Sequence, residues 1–304
     1  MRWIVPVLFL FGLAGCDQGT RTSTTKGAVR VECDESLEPV MQLQAEDFQR
    51  TYTEASVTLR FVGAREAIAD FSIDSVRVIV SARPFNTEEL DFMKAAKIEY
   101  QEFKVALDAI AVIGHKNNTL KQLRLSELDS IFSGAMTRWP VKSRNNIIDP
   151  VIADVNSSIN ETFQGTVLQG KPFALTAMRM PTSEKLIEYV RSIGNAIGIV
   201  GLSWLKGHEQ HLTVFSLASA NTHSDSAQPS GKYYSPEQAY VLTKEYPIIR
   251  PVYMYTREVR RDVGLGFISY VSSAQGQKIF LNNGLVPATM PVRLVELSSQ
   301  QVKQ

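Results

Sequence analysis

The sequence predicts an α/β fold, because segments with the pattern of strands alternate with segments with the pattern of helices. Residues 29–33 alternate between apolar and polar side chains, as a strand with one buried face does. A polar turn follows, and residues 37–53 then carry apolar side chains at helical spacing. The same order returns in a strand at 57–62, a helix at 64–72 and a strand at 76–80. Repeated strand–helix units are typical of α/β domains with a largely parallel sheet.

The second half of the chain continues this alternation. Further strands are predicted at 105–113, 151–155, 196–201 and 248–255, and further helices at 126–132, 161–168, 183–192 and 266–281. Ser126 and Ser183 stand at helix starts, where a serine side chain commonly accepts a hydrogen bond from a backbone N–H. Pro251 predicts that the last strand lies at a sheet edge or crosses between sheets, because proline cannot donate to a strand ladder.

The first residues have the pattern of a bacterial lipoprotein leader. Arg2 precedes an almost unbroken apolar run at 3–14, which is too short to span a bilayer but suits the core of a signal peptide. Leucine, alanine and glycine then precede Cys16. We therefore expect removal of residues 1–15, diacylglycerol on the Cys16 thiol, and acylation of the new amine, for example with palmitate. The alternative is an ordinary signal peptide followed by a chance cysteine.

A lipid anchor at Cys16 would hold the chain on a membrane outside the cytoplasm. Two or three acyl chains bury enough methylene groups for stable attachment. We therefore expect a lipid-anchored protein on the cell membrane or the outer membrane, facing the periplasm. Residues 16–27 are polar and rich in threonine, which predicts a flexible tether. One folded domain is expected over 28–292, followed by a polar tail at 293–304.

Composition argues against several classes of function. The net charge of +1 disfavours a nucleic-acid-binding protein, which normally has a basic patch or a high isoelectric point. Once Cys16 carries lipid, Cys33 has no partner for a disulfide. The four histidines, at 115, 208, 211 and 223, lack the spacing of a metal site. No nucleophile elbow, phosphate-binding loop or catalytic triad is recognisable, so we expect neither an enzyme nor a cofactor.

Three polar turns follow predicted strands, and their residues are candidates for binding an anion. They are Asp34-Glu35-Ser36, Ser81-Ala82-Arg83 and Asn156-Ser157-Ser158. In open α/β sheets, ligands bind beyond the carboxyl ends of strands, and the unpaired N–H groups of helix N-termini attract anions. The turns would form one site if the fold brings them together. The alternative is that the serines only cap helices.

Asp108 is a further candidate, because it interrupts the apolar strand at 105–113. A carboxylate in such a strand must find hydrogen-bond donors or face a cleft. Asp108 therefore either contributes to a ligand site or holds a backbone turn between domains, and the sequence pattern supports both interpretations.

An ordered series of motifs resembles the phosphate-binding subunit of ABC phosphate importers, within the wider type II periplasmic binding proteins. The motifs are SARP at 81–84, ALDAIAVI at 106–113, LSELDSIFSG at 125–134 with TRW at 137–139, NAIGIVG at 195–201, YPIIRPVY at 246–253, AQGQK at 274–278 and GLVP at 284–287. The resemblance covers roughly residues 29–290.

The resemblance implies two lobes, each a mixed sheet flanked by helices, which two crossover strands join. Lobe one would comprise residues 29–106 and 247–292, and lobe two residues 107–246. A ligand would bind in the cleft between the lobes, and hinge closure would present the closed shape to the membrane subunits of an ABC importer.

The ligand turns of the family correspond to Ser36, Ser81, Asp108 and Ser157 of this sequence, with Asn156 and Ser158 beside the last. Three positions depart from the family pattern. Ala153 stands where the family has an arginine, Ile159 replaces a hydroxyl-bearing residue, and Gly63 with Ala64 lacks the serine of a Gly-Ser-Gly turn. Without that arginine, charge compensation falls to helix termini and hydroxyls, with Arg65 of the other lobe as a candidate substitute. The alternative for Arg65, which its residue type favours, is a solvated surface arginine.

The leading functional hypothesis is therefore a lipid-anchored solute receptor that binds phosphate or a similar small oxyanion for an ABC importer. Acidic Asp34 and Glu35 beside Ser36 disfavour a fully ionised anion. They suit either a protonated phosphate or a different ligand. The alternative hypothesis, which the three departures motivate, is a degenerate pocket in a lipoprotein that acts as a protein-interaction scaffold in the cell envelope.

Overall fold

The computed structural model describes residues 22–140, 146–218, 231–258 and 261–289. The strands are β1 (Gly27–Asp34), β2 (Ala55–Val62), β3 (Val78–Ser81), β4 (Gln101–His115), β5 (Gln122–Leu123), β6 (Asp149–Ile152), β7 (Met178–Arg179), β8 (Ala196–Gly201), β9 (Leu212–Val214), β10 (Ser216–Ala218), β11 (Tyr233–Tyr234), β12 (Ile249–Thr256) and β13 (Val286–Pro287). The helices are α1 (Glu38–Thr51), α2 (Ala64–Ser72), α3 (Thr87–Ala95), α4 (Leu125–Phe132), α5 (Ser158–Thr166), α6 (Ser183–Ser192), α7 (Gln238–Leu242), α8 (Val263–Val271) and α9 (Ala274–Asn282). The expected signal peptide and Cys16 lie outside the described residues.

The long strand β4 connects two halves of a mixed sheet. The strand order is β2-β1-β3-β12-β4-β8-β6-β7, and β9 and β13 also pair with β4. The outer strands are parallel, β1 with β2 and β3 and β6 with β7 and β8. The central strands β12 and β4 run antiparallel to each other and to β3 and β8. The α/β class is confirmed, but the sheet is less parallel than expected because its two central strands cross between the halves in opposite directions.

Each half of the sheet packs against its own hydrophobic core. Phe48 and Phe267 lie in the first core, and Phe132 and Phe163, whose ring centroids are 4.8 Å apart, lie in the second. We call the elements of the first half lobe one; they are β1–β3, α1–α3, α8 and α9. We call those of the second half lobe two; they are β5–β11 and α4–α7. The residue boundaries expected for the lobes, with lobe two at 107–246, stay a prediction.

The C-terminal helix expected at 266–281 is two helices in the structure. The side chain of Ser273 accepts a hydrogen bond from the N–H of Gly276 and so caps the start of α9. A Cβ on Gly276 would lie 2.5 Å from the carbonyl oxygens of Tyr270 and Val271, so α9 turns back tightly against the end of α8. The apolar spacing of two short, closely packed helices imitates that of one long helix.

Helix starts also differ from the sequence-based expectation. Ser126 is not a cap, because α4 begins one residue earlier and follows Arg124. Thr182 rather than Ser183 caps α6, and its hydroxyl accepts from the N–H of Lys185 at 3.2 Å. Helix α3 was not expected at all, because Met93 is its one buried residue and an amphipathic period is therefore absent.

Pro251 lies in β12 as a local edge. It pairs with Leu107 of β4, but the pairing of β12 with β3 begins only at Tyr253. One side of the strand is therefore free of a ladder at Pro251, and the missing N–H costs no hydrogen bond.

The segment before β1 is packed on lobe one, although it was expected to belong to the tether. Ser23 and Lys26 form a bridge with two backbone hydrogen bonds. A Cβ on Gly266 of α8 would lie 1.8 Å from the carbonyl oxygen of Thr24, so the segment lies directly against this helix. Within the described part of the chain, no helix is long and apolar enough to cross a bilayer.

Replacing Asn86 with alanine should lower the free energy of unfolding by about 1 kcal/mol. The Asn86 side chain accepts from the N–H of Glu89 at 2.9 Å, and Glu89 Oε2 accepts from the N–H of Asn86 at 2.8 Å. Alanine leaves the first turn of α3 with an unpaired donor. Urea unfolding would measure the loss. Asn86→Ser, which can still cap, should retain most of the stability, and an equal loss in both variants would contradict the capping role.

Candidate functional site

A buried ion pair lies where the two lobes meet. Arg250 on β12 and Asp108 on β4 are each 1% exposed and lie opposite each other on the two strands. Nε and Nη2 of Arg250 donate to Oδ2 of Asp108 at 2.9 and 2.6 Å. The backbone N–H of Leu202 donates to Oδ1 of Asp108 at 3.1 Å. Asp108 thus has the donors that its place in an apolar strand requires, and it also holds the backbone after β8.

The same guanidinium connects hydroxyl groups of both lobes. Nη2 of Arg250 donates to Ser36 Oγ at 2.9 Å, and Nη1 donates to Ser158 Oγ at 2.7 Å. Ser36 follows β1 in lobe one, and Ser158 is the first residue of α5 in lobe two. Arg250 therefore brings together two of the turns that the sequence singled out.

Glycine at position 201 is required for this arrangement. A Cβ on Gly201 would lie 2.8 Å from Arg250 Nη2, 3.0 Å from the Ser36 carbonyl oxygen and 3.1 Å from Asp108 Oδ2. Any side chain at the end of β8 would therefore displace the guanidinium or separate the lobes.

The first turn carries its own carboxylate as hydrogen-bond acceptor. Oδ1 of Asp34 accepts from the N–H of Ser36 at 3.1 Å and from its hydroxyl at 2.8 Å. Oδ2 accepts from the N–H of Ala82 at 3.2 Å. Asp34, itself 1% exposed, thus engages donors of the first and second turns that an anion would otherwise use.

Ser81 is committed to its own turn. Its hydroxyl donates to the carbonyl oxygen of Arg83 at 2.9 Å and accepts from the N–H of Arg83 at 3.3 Å. Ser81 is fully buried, and both hydrogen bonds of its hydroxyl go to the Arg83 backbone.

The third turn forms the N-terminus of α5. Ser157 caps the helix by accepting from the N–H of Ile159 at 3.1 Å. Ser158 accepts from Arg250, and no described residue accepts the proton of either hydroxyl. These two O–H groups at a helix N-terminus are therefore available to an anion.

Gly63 and Asn156 bring the lobes into direct contact. A Cβ on Gly63 would lie 2.6 Å from Asn156 Cβ and 2.9 Å from its carbonyl oxygen. That carbonyl accepts from the N–H of Arg65 at 3.3 Å. The missing serine at this turn is thus replaced by close packing between the backbones of the two lobes.

The cationic side chains at the cleft edge differ in their burial. The Arg65 side chain is 58% exposed, and its Nε lies 3.8 Å from Glu161 Oε2. Arg83 is 5% exposed, pairs with both carboxylate oxygens of Glu89 at 2.8 and 2.7 Å, and lies 2.9 Å from Glu161 Oε2 on α5. Arg65 is thus an exposed residue in the first turn of α2, close to Glu161 of lobe two.

Glu35 makes a second polar contact across the cleft. Its Oε1 accepts from the N–H of Ser183 at 2.6 Å, and its Oε2 accepts from the Ser183 hydroxyl at 2.9 Å. Burial raises the pKa of Glu35 to about 7, and the negative charges of Asp34 and Glu38 add to this shift although the Ser183 bonds oppose it.

A cavity of about 440 Å³ lies between the lobes beside these contacts. Its lining is Asp34, Glu35, Arg60, Phe61, Val62, Gly63, Glu66, Asp154, Asn156, Ser157, Pro181 and Thr182. The cation in this lining, Arg60, is already paired with Glu32, Glu66 and Asp70. The cavity is therefore acidic, which favours a protonated over a fully ionised anion.

Arg250 was missed at the sequence level, although a signal for it exists. It interrupts an apolar strand in the same way as Asp108. Two opposite charges, each isolated in a strand, indicate a buried pair if the strands are neighbours. The sequence pattern did not show that β4 and β12 are neighbours, so the pairing was visible only in the fold.

A family model described as a PBP superfamily domain matches residues 18–275. Protein SphX of Synechococcus elongatus is 23% identical over 291 residues, which cover 92% of this chain and 83% of that protein. Phosphate-binding protein PstS of Staphylococcus aureus is 20% identical over 255 residues, which cover 83% of this chain and 75% of that protein. Neither name describes an enzyme, in agreement with the lack of a catalytic motif.

Solved structures show the same fold. A phosphate ABC transporter substrate-binding protein with bound phosphate from Clostridium perfringens has a TM-score of 0.73 and 23% identity, and the match covers 86% of this chain and 100% of that one. An ABC-type phosphate transport receptor from Vibrio cholerae has a TM-score of 0.64 and 16% identity, with coverages of 86% and 100%.

Proposed function

We propose, given that the chain belongs to the PBP superfamily, that it is an extracytoplasmic solute-binding protein that binds phosphate or a similar small oxyanion for an ABC importer. The observation that carries the proposal is the buried guanidinium of Arg250, which joins the hydroxyls of Ser36 in one lobe and Ser158 in the other. The relatives in cyanobacteria and staphylococci support it, since one of them is named as a phosphate-binding protein.

Arg250 supplies the charge that an arginine at 153 would supply in the family pattern. A guanidinium has five N–H groups, and four hydrogen bonds from Arg250 go to Asp108, Ser36 and Ser158. The remaining N–H and the free hydroxyl protons at the start of α5 are donors for an oxyanion. Asp34 could accept the proton of a monohydrogen or dihydrogen phosphate, which suits the acidic surroundings.

The proposed ligand residues are Ser36, Asp108, Asn156, Ser157, Ser158 and Arg250. Ser81 would act indirectly, because it holds the turn whose Ala82 N–H donates to Asp34. Arg65 lies at the cleft edge. Opening and closing would occur about β4 and β12, because these strands connect the two cores. Lobe two would then comprise residues 107–246.

The proposal includes lipid attachment at Cys16 and a place on the cell membrane or outer membrane, facing the periplasm. Five residues separate Cys16 from Thr22, the first described residue. A chain of this length spans at most about 20 Å. The anchor would therefore keep lobe one close to the membrane and to the membrane subunits of the importer.

Phosphate should bind the chain with measurable heat and raise its melting temperature, because a ligand that binds only the folded state stabilises it. Ser158→Ala should weaken binding roughly tenfold or more, since a hydrogen bond to a charged group contributes about 1.5–3 kcal/mol. Calorimetry with phosphate and with sulfate would measure both. Ser130→Ala, which changes a half-buried serine of α4, is the matched control.

The absence of heat and of a thermal shift at millimolar phosphate would contradict the proposal. Equal affinities of the Ser158→Ala variant and the natural chain would contradict the role of Ser158.

A second function, a protein-interaction scaffold with a degenerate pocket, is favoured by one specific observation. The donors of the first turn and of α6 are already bound by Asp34 and Glu35. Capture of a stable partner other than a transporter, together with an empty pocket, would support this function. Ala153→Arg is the sharper test. If this variant binds phosphate and the natural chain does not, the natural pocket has lost phosphate binding.

A further inference from the structure

The contact between Glu35 and Ser183 connects elements that are rigidly held in different lobes. Glu35 belongs to the 3₁₀ turn Glu35–Leu37, and Leu37 is fully buried in the core of lobe one. Ser183 is the first residue of α6, which is fixed in the core of lobe two by Leu186, Ile187 and Val190. Separation of the lobes would therefore break the contact between Glu35 and Ser183.

The carboxylate of Glu35 has hydrogen-bond partners only in the opposite lobe. Among the described residues, both of its hydrogen bonds come from Ser183. Its half-buried position depends on the closed arrangement, because Pro181 and Thr182 of lobe two line the same cavity. Closure thus takes the carboxylate out of water and gives it two donors at a helix N-terminus.

The charged groups around this contact are mainly negative. Asp34 and Glu38 lie on the side of lobe one, and both raise the pKa of Glu35. Glu184 and Lys185 begin α6, and Lys185 is paired with Glu188. Across the cavity lie Glu66, Asp154 and Arg60, and Arg60 is held by three carboxylates of lobe one. No nearby cation in the described chain therefore compensates the charge of Glu35.

We propose that Glu35 is a proton-linked latch, which holds the two lobes closed without solute and whose closure takes up a proton. A protonated Glu35 can still accept from the Ser183 N–H and can share its proton with the hydroxyl, without the cost of burying a charge.

The direction of the pH effect follows from the two states. In the closed form the pKa of Glu35 is raised by burial from 4.5 to about 7, and in an open form the solvated carboxyl has its ordinary pKa. The closed form binds the proton more tightly, so the ratio of closed to open molecules rises as the pH falls from about 7 towards 4.5. Above this window the ratio is constant and lower.

The latch is testable on phosphate-free protein, so its outcome is independent of the proposed solute. Small-angle X-ray scattering would report lobe closure at pH 5.5 and pH 8.0, and hydrogen exchange corrected for its intrinsic pH dependence would report protection of the Ser183 amide. We expect the closed-to-open ratio of the natural chain to be at least about tenfold higher at pH 5.5. Glu35→Gln keeps the shape and the acceptor but cannot titrate, so its closed fraction should be the same at both pH values.

Glu88→Gln, which changes an exposed carboxylate on α3, should behave as the natural chain does. Ser183→Ala should close less at both pH values and retain the pH dependence, because the backbone donor remains. Equal closure of the natural chain at both pH values would overturn the proposal. Natural pH dependence in the Glu35→Gln variant would overturn it as well.

Discussion

Replacement of Arg250 with methionine is expected to lower the free energy of unfolding by about 3–5 kcal/mol, because it leaves a buried carboxylate without its counter-charge. Asp108 is 1% exposed and would retain one donor, the N–H of Leu202. Ser36 and Ser158 would also lose the donor that joins the lobes. Urea unfolding followed by circular dichroism would measure the change.

A double-mutant cycle distinguishes the ion pair from lost packing. Asp108→Asn combined with Arg250→Met removes both charges and keeps an acceptor for Leu202, so it should recover most of the stability. Arg250→Lys keeps the charge but lacks the planar fork that reaches Asp108 and two serines, so its stability should be intermediate. If the double variant were as unstable as Arg250→Met alone, the loss would come from the cavity and not from the charge.

Arg250→Met should also abolish phosphate binding if the proposed function is correct. The effect on binding must be measured well below the unfolding transition, where the variant is still folded. The double variant with Asp108→Asn provides this condition, because it restores stability without restoring the guanidinium. Phosphate affinity in the stable double variant equal to that of the natural chain would exclude Arg250 as a ligand residue.

Gly63→Ala is expected to reduce phosphate affinity tenfold or more with little change in the stability of either lobe. The new Cβ would lie 2.6 Å from Asn156 Cβ, which is closer than real Cβ contacts allow, so the lobes could not approach fully. The φ of −64° at Gly63 suits alanine, so the backbone itself is not strained. Calorimetry would measure the affinity, and small-angle scattering of the phosphate-free chain would measure the loss of closure.

Gly165→Ala is the matched control for this substitution. Gly165 lies within α5, and a Cβ there would meet nothing within 4 Å. Alanine in this last turn of the helix should stabilise the chain by at most about 0.5–1 kcal/mol and leave affinity and closure unchanged. Full closure and natural affinity in Gly63→Ala would contradict the prediction. The lobes would then close without the close contact between Gly63 and Asn156.

The natural alanine at position 153, where the family pattern has an arginine, does not by itself show whether the site contains a cation. Ala153 is buried at 1% exposure, and its carbonyl oxygen accepts from the Asn160 amide. The buried cation where the lobes meet is instead Arg250 of β12, which is already the counter-ion of Asp108. Arg250 therefore connects the two lobes, balances the charge of Asp108 and is a proposed ligand residue.

The sequence by itself determined the local elements and the polar turns. Helix α2 and strand β8 begin and end at the residues expected from the sequence, because α2 buries one face and β8 buries both faces against a core. Asp108 was recognised as unusual because a charge in an apolar strand needs a partner wherever the strand lies.

Only the tertiary structure decided which of these features meet. The pairing of Arg250 with Asp108, the contact of Glu35 with Ser183 and the approach of Gly63 to Asn156 join residues that are far apart in the chain. Their local sequence is compatible with many partners, because a hydrogen bond or an ion pair depends on distance and not on spacing along the chain. The short α3 has no amphipathic period in the sequence, and the apolar spacing across α8 and α9 imitates one long helix, so both were decided by packing.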